Sequence, residues 1–226
     1  HFSLPNYPFK AGGNWVRTGE DFEPALGFVR RRGGQSLGLG FTYFFEQTES
    51  DWLEDLSMGA EYDRYEWLDG DLDSEELEWN VIGVRTLEGD YLGFEVEFER
   101  EILRESFEII DSLVVPVDEY RGIDFDLEFR SSSDRSVFGE IELSYGDYYG
   151  GSSTRGELEL SWRPSRFLQL DCEIESTLAR LPQEDFEVLT GSLGLRVTPT
   201  TQLSFNGIAQ YDNQSETIGV NCRIRY

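Results

Sequence analysis

Histidine, cysteine and methionine, on which many catalytic and metal sites depend, are almost absent: the 226 residues include one His, two Cys and one Met. Two cysteines exclude a disulfide scaffold and a cysteine-rich metal site. A Ser-His-Asp or Cys-His site needs a histidine within the fold, and the sole histidine is the first residue of the sequence. The sequence therefore predicts a protein that is not an enzyme and that holds no cofactor.

Basic residues and long apolar runs are also scarce. Lysine and arginine total 19 against 45 aspartates and glutamates, which gives a formal net charge of −26. Without a basic stripe to neutralise phosphates, nucleic acid is excluded as a partner, and docking onto an anionic lipid surface is disfavoured. No apolar run approaches the roughly 20 residues of a membrane helix. Disorder is disfavoured because 14% of the residues are aromatic.

What the sequence does contain is alternation with a period of two residues, which is typical of strands with one apolar face. Residues 123–130, for example, are Ile-Asp-Phe-Asp-Leu-Glu-Phe-Arg. No stretch has a convincing helical period, so the chain is predicted to be all-β. Strands are predicted near residues 10–18, 36–45, 55–67, 76–87, 90–102, 119–130, 136–148, 154–163, 167–178, 187–198, 201–211 and 216–226.

Strand length and the connections favour a membrane protein. Many of the predicted strands are longer than the roughly 5–6 residues usual in soluble proteins and match the roughly 9–11 residues of a tilted membrane strand. Connections such as residues 87–90 and 163–166 are tight, whereas the alternate ones, such as 68–74 and 103–118, are generally longer. The connection at 46–53 is longer than this scheme requires.

This pattern predicts an antiparallel transmembrane β-barrel of about twelve strands, with short periplasmic turns and longer extracellular loops, in the bacterial outer membrane. Residues 1–226 would form this single barrel domain. Alternation does not reveal which face is inside, however. A soluble acidic β-barrel or sandwich that binds a ligand on its inner face would have the same pattern and stays open as the alternative.

Four segments resemble a bacterial family of unknown function. Residues 22–31 resemble its F-x-P-x-x-G-F-x-x-R stretch, and residues 162–165 its W-x-P-S hairpin. Residues 210–226 contain motifs similar to its Q-Y-D-N-x-S turn and N-x-R-x-R-[WY] ending, and residues 107–120 resemble a further step. The resemblance implies an outer-membrane barrel without a known reaction. Family members usually carry a carbohydrate-binding β-sandwich ahead of the barrel, so the chain could be the C-terminal part of a longer protein.

Acidic residues dominate the polar face of consecutive predicted strands, beginning with Glu61, Asp63, Glu76 and Glu78. They would form one acidic wall of the lumen, made of Glu95, Glu97, Glu99, Asp124, Asp126, Glu128, Glu140, Glu142, Glu157, Glu159, Asp171, Glu173 and Glu175. The remaining strands would form an opposing neutral-to-basic wall that includes Arg196, Arg223 and Arg225.

Three interpretations of the acidic wall remain open. Acidic rings select cations, which favours an aqueous cation channel. The lumen could instead hold a basic plug or partner protein, or the wall could be a hydrated face with no specific role. Glycoside hydrolysis needs two carboxylates at a set separation, and no pair stands out among so many. The expected partners are therefore outer-membrane lipid and either cations or a basic plug, in a porin-like channel or a structural scaffold.

One loop imitates the start of a calcium site. Asp69, Asp71 and Asp73 alternate as in an EF-hand loop, but Ser74 stands where the turn needs glycine and Asn80 where a bidentate glutamate belongs. We expect a hydrated acidic loop, with these three aspartates as a weak candidate for a cation site only.

Overall fold

The computed structural model describes residues 2–6, 8–22, 33–45, 50–110 and 113–226. Within these residues all regular secondary structure is β, so the all-β prediction is confirmed. No helix that is long and apolar enough to cross a membrane occurs in them. The resembling segment at 22–31 lies outside the described residues except for Phe22.

Fifteen strands are present in the described part of the chain. They are β1 (Phe2–Asn6), β2 (Phe9–Thr18), β3 (Gly34–Phe45), β4 (Leu53–Trp67), β5 (Leu72–Thr86), β6 (Tyr91–Ile102), β7 (Phe107–Ile110), β8 (Leu113–Val115), β9 (Glu119–Arg130), β10 (Val137–Tyr148), β11 (Gly151–Ser165), β12 (Leu168–Arg180), β13 (Asp185–Val197), β14 (Ser204–Asp212) and β15 (Thr217–Arg225). The twelve predicted strands correspond to β2–β6 and β9–β15 and are confirmed, with boundaries within four residues.

Thirteen strands form one antiparallel sheet in the order β1-β2-β3-β4-β5-β6-β9-β10-β11-β12-β13-β14-β15. The remaining two, β7 and β8, pair only with each other as a hairpin within the β6–β9 connection. Prediction missed β1, β7 and β8 because they are short, and because β1 contains Pro5, which has no N–H to donate to a ladder.

Cross-strand pairs explain why these segments associate. Phe125 of β9 lies opposite Val96 of β6 and Tyr145 of β10, and Leu127 lies opposite Phe94. Aromatic and aliphatic pairs of this kind each contribute roughly 0.2–1 kcal/mol to the stability of a sheet. We call the side of the sheet that bears these residues the apolar face, and the opposite side the acidic face.

The closed barrel predicted from the sequence is not observed, since within the described residues no pairing joins β1 to β15. The physical reason lies in the two edges. Strand β15 presents nine exposed residues, whereas β1 has five residues and covers only residues 9–13 of β2. As the first and thirteenth strands of an antiparallel sheet, β1 and β15 run in the same direction, so no antiparallel ladder can join them and the described sheet is open.

The predicted asymmetry of the connections holds only in part. We call the end of the sheet with the β5–β6, β9–β10 and β11–β12 turns the first rim, and the other end the second rim. At the second rim, the β2–β3 and β6–β9 connections are long, whereas residues 68–71, 149–150, 181–184 and 213–216 make short turns. Two of the six connections at this rim are therefore long as predicted, and the other four are short because strands such as β5 and β11 begin earlier than predicted.

The sheet lacks a second layer in the described part of the chain. The buried apolar residues there are Val96, Leu113, Val115, Ala179 and Leu181, and none of the largest side chains is fully buried. The accessible surface is 15363 Å², whereas a compact soluble protein of 26.0 kDa would expose about 10,500 Å². The apolar face thus packs against no core.

Candidate functional site

The two faces of β9 differ in exposure in the direction opposite to that of a soluble sheet. On the apolar face, Ile123, Phe125, Leu127 and Phe129 are 40, 45, 43 and 42% exposed. On the acidic face, Asp124 is only 7% exposed. In β9 the alternation therefore places carboxylates on the more enclosed side of the sheet, whereas Glu173 and Glu175 of β12 are exposed.

The register brings the acidic residues of neighbouring strands directly opposite each other. Glu97 of β6 lies opposite Glu78 of β5 and Asp124 of β9. In the same way, Glu95 lies opposite Asp126, and Glu99 lies opposite Glu76.

Two further rows run across β9 to β12. The first row is Glu128, Glu142, Glu157 and Glu175, and the second joins Glu140 to Glu159 and Glu173. Asp171 lies in the same strand as Glu173 and opposite Ser161. All of the acidic residues predicted for the wall thus occupy one face of five adjacent strands, which we call the acidic wall.

Few cations neutralise the acidic wall among the described residues. Arg130 contacts Glu140 through two nitrogens, at 2.9 and 2.7 Å, and also contacts Glu128. Most other hydrogen-bond donors to the carboxylates of the wall are neutral side chains. Asn80 donates to Glu95 at 2.7 Å, Gln169 to Asp171 at 2.8 Å, and Ser192 to Glu173 at 3.2 Å.

Like charges opposite each other destabilise a sheet, by up to roughly 1 kcal/mol per pair. An arrangement with so many such pairs requires water or mobile cations on this face.

Two groups of three carboxylates are close enough to hold a cation. The ligand oxygens of Glu128, Glu140 and Glu142 lie within 4.8 Å of one another. Those of Glu157, Glu159 and Glu173 do so as well. Because exposed carboxylates commonly cluster without an ion, this geometry alone does not define a metal centre. Sequence reasoning could have found both groups only with the cross-strand register.

The basic residues predicted to oppose the wall lie beside it. Arg196 lies in β13, the strand next to the acidic wall, and is opposite Gln169 of β12. Asn206 of β14 lies opposite Arg196 on one side and opposite Arg223 of β15 on the other. Arg225 lies opposite Ser204. These arginines share the acidic face with the wall, at the end of the sheet where β15 is free, so any opposition across a lumen depends on closure of the sheet.

The weak candidate for a cation site is occupied by an arginine. Arg104 contacts Asp69 and Asp71, at 3.0 Å each. The pKa of Asp69 is lowered because the Asp71 backbone N–H donates to its carboxylate, and because Arg104 donates to it as well. Asp73 lies in β5 and completes no cation site with them.

In comparisons with known proteins, the chain matches no protein-family model, no curated protein and no solved structure. The resemblance noted in the sequence thus stays a prediction. The fold and the site define an all-β chain with an exposed apolar face and a carboxylate-lined opposite face.

Proposed function

We propose that the chain is a β-barrel of the bacterial outer membrane and that its acidic wall lines a water-filled, cation-preferring pore. The observation that carries this proposal is the apolar face, whose large side chains are exposed with no layer of the described residues packed on them while carboxylates line the opposite face. A soluble acidic barrel or sandwich would bury the apolar face, and the described sheet has nothing packed against it. Outer-membrane lipid is the partner that suits such a face.

The energetics favour lipid as that partner. Removing a large apolar side chain from water contributes about 1.5–3 kcal/mol. Soluble monomers rarely expose apolar patches of more than a few hundred Å², whereas here Leu92, Phe125, Leu143, Leu160 and Leu193 are exposed on successive or nearby strands. The membrane would cover all of them at once.

The dimensions of the apolar face also fit. On β10, apolar-face residues extend from Val137 to Tyr145, which is about 26 Å along the strand at ~3.3 Å per residue. With a strand tilt of about 40°, this corresponds to about 20 Å of membrane depth, close to the roughly 25 Å apolar band of outer-membrane barrels. Strands β3 to β6 and β9 to β13 have 12–15 residues and exceed the length needed to span.

Antiparallel closure would pair β15 with β2, of which β1 covers only residues 9–13. Within lipid, an open edge is not tolerated because its backbone N–H and C=O groups have no water to bind. The lipid environment therefore supplies a driving force for closure that is absent from the isolated chain. Closure would bring Arg223 and Arg225 beside the N-terminal strands and away from the centre of the acidic wall.

The acidic wall supports cation preference. Carboxylates in a lumen raise the local concentration of cations and repel anions. Among the described residues, Arg130 contacts Glu128 and Glu140, and Arg155 lies on the same face of β11. These two arginines offset only part of the charge of the rows from β9 to β12, so the field of the wall stays strongly negative. The second candidate function is a structural scaffold, in which the negative field of the wall would hold a basic plug in the lumen.

Extraction and conductance test this proposal. The protein should need detergent for extraction, change gel mobility on heating, and form cation-selective channels in planar bilayers. The combined variant Glu140→Gln, Glu142→Gln, Glu157→Gln and Glu159→Gln should shift the reversal potential toward that of a non-selective pore. The matched control changes the same number of charges at the rims: Glu20→Gln, Asp51→Asn, Glu184→Gln and Glu216→Gln.

The outcomes separate the candidate functions. A protein that stays in solution without detergent contradicts the membrane proposal. Membrane insertion without conductance favours the plugged scaffold. An equal shift of the reversal potential in both combined variants would show that total charge, rather than the acidic wall, determines selectivity.

A further inference from the structure

The described residues of the β6–β9 connection are 103–110 and 113–118. Its two ends are joined where the Leu103 N–H donates to the carbonyl of Asp118 at 3.0 Å, and between them it carries the β7–β8 hairpin. Val115 and Leu113 of this hairpin are 2% and 8% exposed, among the most buried residues of a chain with almost no core. The connection is therefore packed against something, and its contacts show on which side.

On one flank, the connection is tied to the β4–β5 end of the sheet. The Arg104 guanidinium contacts Asp69 and Asp71 and lies over the Trp67 ring at 4.9 Å. Trp67 alternates with Asp63 along β4 and lies opposite Gly34 of β3, so its side chain belongs to the acidic face.

On the other flank, the connection is tied to the β10–β11 turn. Phe107 meets the Tyr149 ring edge-on, with ring centroids 5.3 Å apart. Tyr149 in turn donates to Glu101 at 3.1 Å and contacts Tyr120 at 5.1 Å between ring centroids. Glu101 alternates with Glu97 and Glu99 on β6, which again places the contact on the acidic face.

The acidic face is also buried at this end. Ser153 of β11 and Ala179 of β12 lie opposite each other at the second rim, and they are 3% and 1% exposed. Toward the first rim, by contrast, residues of the same strands are partly or fully exposed. On these two strands, burial of the acidic face is thus concentrated at the second rim, which is also the rim of the β6–β9 connection.

We propose that the described residues of the β6–β9 connection, 103–110 and 113–118, form the size-limiting constriction of the pore at its second rim, held by Arg104 on one flank and by Phe107 on the other. This inference rests on the pore proposed above. It assigns to the connection the exclusion of large solutes, while the acidic wall below it selects for charge. Small hydrated cations are the class of solute that both filters admit.

The placement is tested first, without reference to conduction. In a chain carrying Cys172→Ser and Cys222→Ser, the pair Phe107→Cys and Tyr149→Cys should be joined by a short bismaleimide. The control pair is Phe107→Cys with Tyr145→Cys. Tyr145 lies on the apolar face of β10, the strand that leads into the turn of Tyr149, so this pair should not be joined. Absence of a link in the first pair of the folded protein, or equal linking in both, overturns the placement.

The role of the connection as a constriction is tested by removing the two side chains that attach it. The double variant Arg104→Ala and Phe107→Ala should increase single-channel conductance by about twofold or more, since the narrowest section dominates the resistance of a pore. Larger neutral polymers should then enter the lumen and reduce its conductance. The control Arg121→Ala removes an arginine from the apolar face at the same rim and should leave the conductance unchanged.

The outcomes keep the two proposals apart. If the wild type conducts and the released variant conducts equally, the constriction is overturned and the pore stands. If only the released variant conducts, the constriction is supported as a complete block. If the link forms but neither protein conducts, the pore proposal fails and the constriction fails with it.

Discussion

The apolar and acidic faces of the sheet have the same number of positions per strand but opposite relations to their surroundings. On β9, Leu127 is 43% exposed and has no layer above it, whereas Asp124 on the other face is 7% exposed. In a soluble sheet the order would be reversed. The proposed function accounts for this difference, because lipid would cover the apolar face and water would contact the acidic one. This difference between the faces is tested by placing the same charged side chain on each of them.

The largest effect is expected for a charge on the apolar face. Leu127→Arg should destabilise the membrane-inserted protein by about 2–4 kcal/mol, the cost of an arginine near the bilayer midplane. In a soluble protein, the same change at a partly exposed position would stay within about 0.5 kcal/mol. Chemical unfolding from lipid vesicles measures the difference.

A matched control lies next to it in the chain. Asp126→Arg puts the same side chain on the acidic face, opposite Glu95 of β6. There it meets negative charge and water, so it should be neutral or stabilising. Equal destabilisation by the two variants would contradict the assignment of the faces.

The next effect concerns the β10–β11 turn, which sets the register that keeps the faces apart. Tyr149 and Gly150 have φ values of 43° and 81°, as in the hairpin turns that match strand twist. Gly150→Ala should cost about 1–2 kcal/mol, because an L side chain disfavours this conformation. The added Cβ would meet only Pro182 Cγ, at 3.8 Å, so crowding contributes little. Thermal unfolding in detergent measures this cost.

The control for the turn is Gly40→Ala. Gly40 lies within β3, where an added Cβ meets nothing within 4 Å. We expect no loss of stability there. Equal losses at both glycines would mean that Gly150 is not selected for its backbone conformation.

Much of this arrangement follows from local sequence, and the rest does not. Residues 123–130 alternate so regularly that the strand, its two faces and its acidic wall residues could all be predicted. The tight turn at Tyr149 could not, because tyrosine rarely has a positive φ and only the neighbouring Gly150 hints at it. The contacts of Arg104 with Asp69 and Asp71 were also missed, since they join residues more than thirty positions apart.

A smaller effect is expected within the acidic wall. Glu157 lies opposite Glu142 on one side and Glu175 on the other. Glu157→Gln removes repulsion from both neighbours and should stabilise the protein by up to roughly 1 kcal/mol at low salt. The gain should shrink as added salt screens the wall. Glu184→Gln, in an exposed connection, is the control; a wall variant that is less stable than the wild type would contradict this account.

The smallest effect on stability is expected at the first rim, where an acidic residue is paired with an arginine, unlike most carboxylates of the wall. Asp90 has an arginine partner: Arg135 donates to both of its oxygens, at 2.5 and 2.7 Å, and also contacts Glu88. These hydrogen bonds, and then the one from the Ser132 N–H, lower the pKa of Asp90. The contact joins the β5–β6 and β9–β10 turns. Arg135→Ala should therefore lower the unfolding temperature slightly at pH 7.

The pH dependence identifies the cause of that loss. Because the folded pKa of Asp90 lies below its unfolded value of about 3.9, its stabilisation is complete above that value and is lost as the pH falls through the folded pKa. The difference between wild type and Arg135→Ala should thus be present at pH 7 and shrink below about pH 4. Arg166→Ala removes an arginine that lies over Phe167 in a neighbouring turn, and its effect should not change with pH. A pH-independent loss in Arg135→Ala would mean that packing, and not the carboxylate, holds the two turns together.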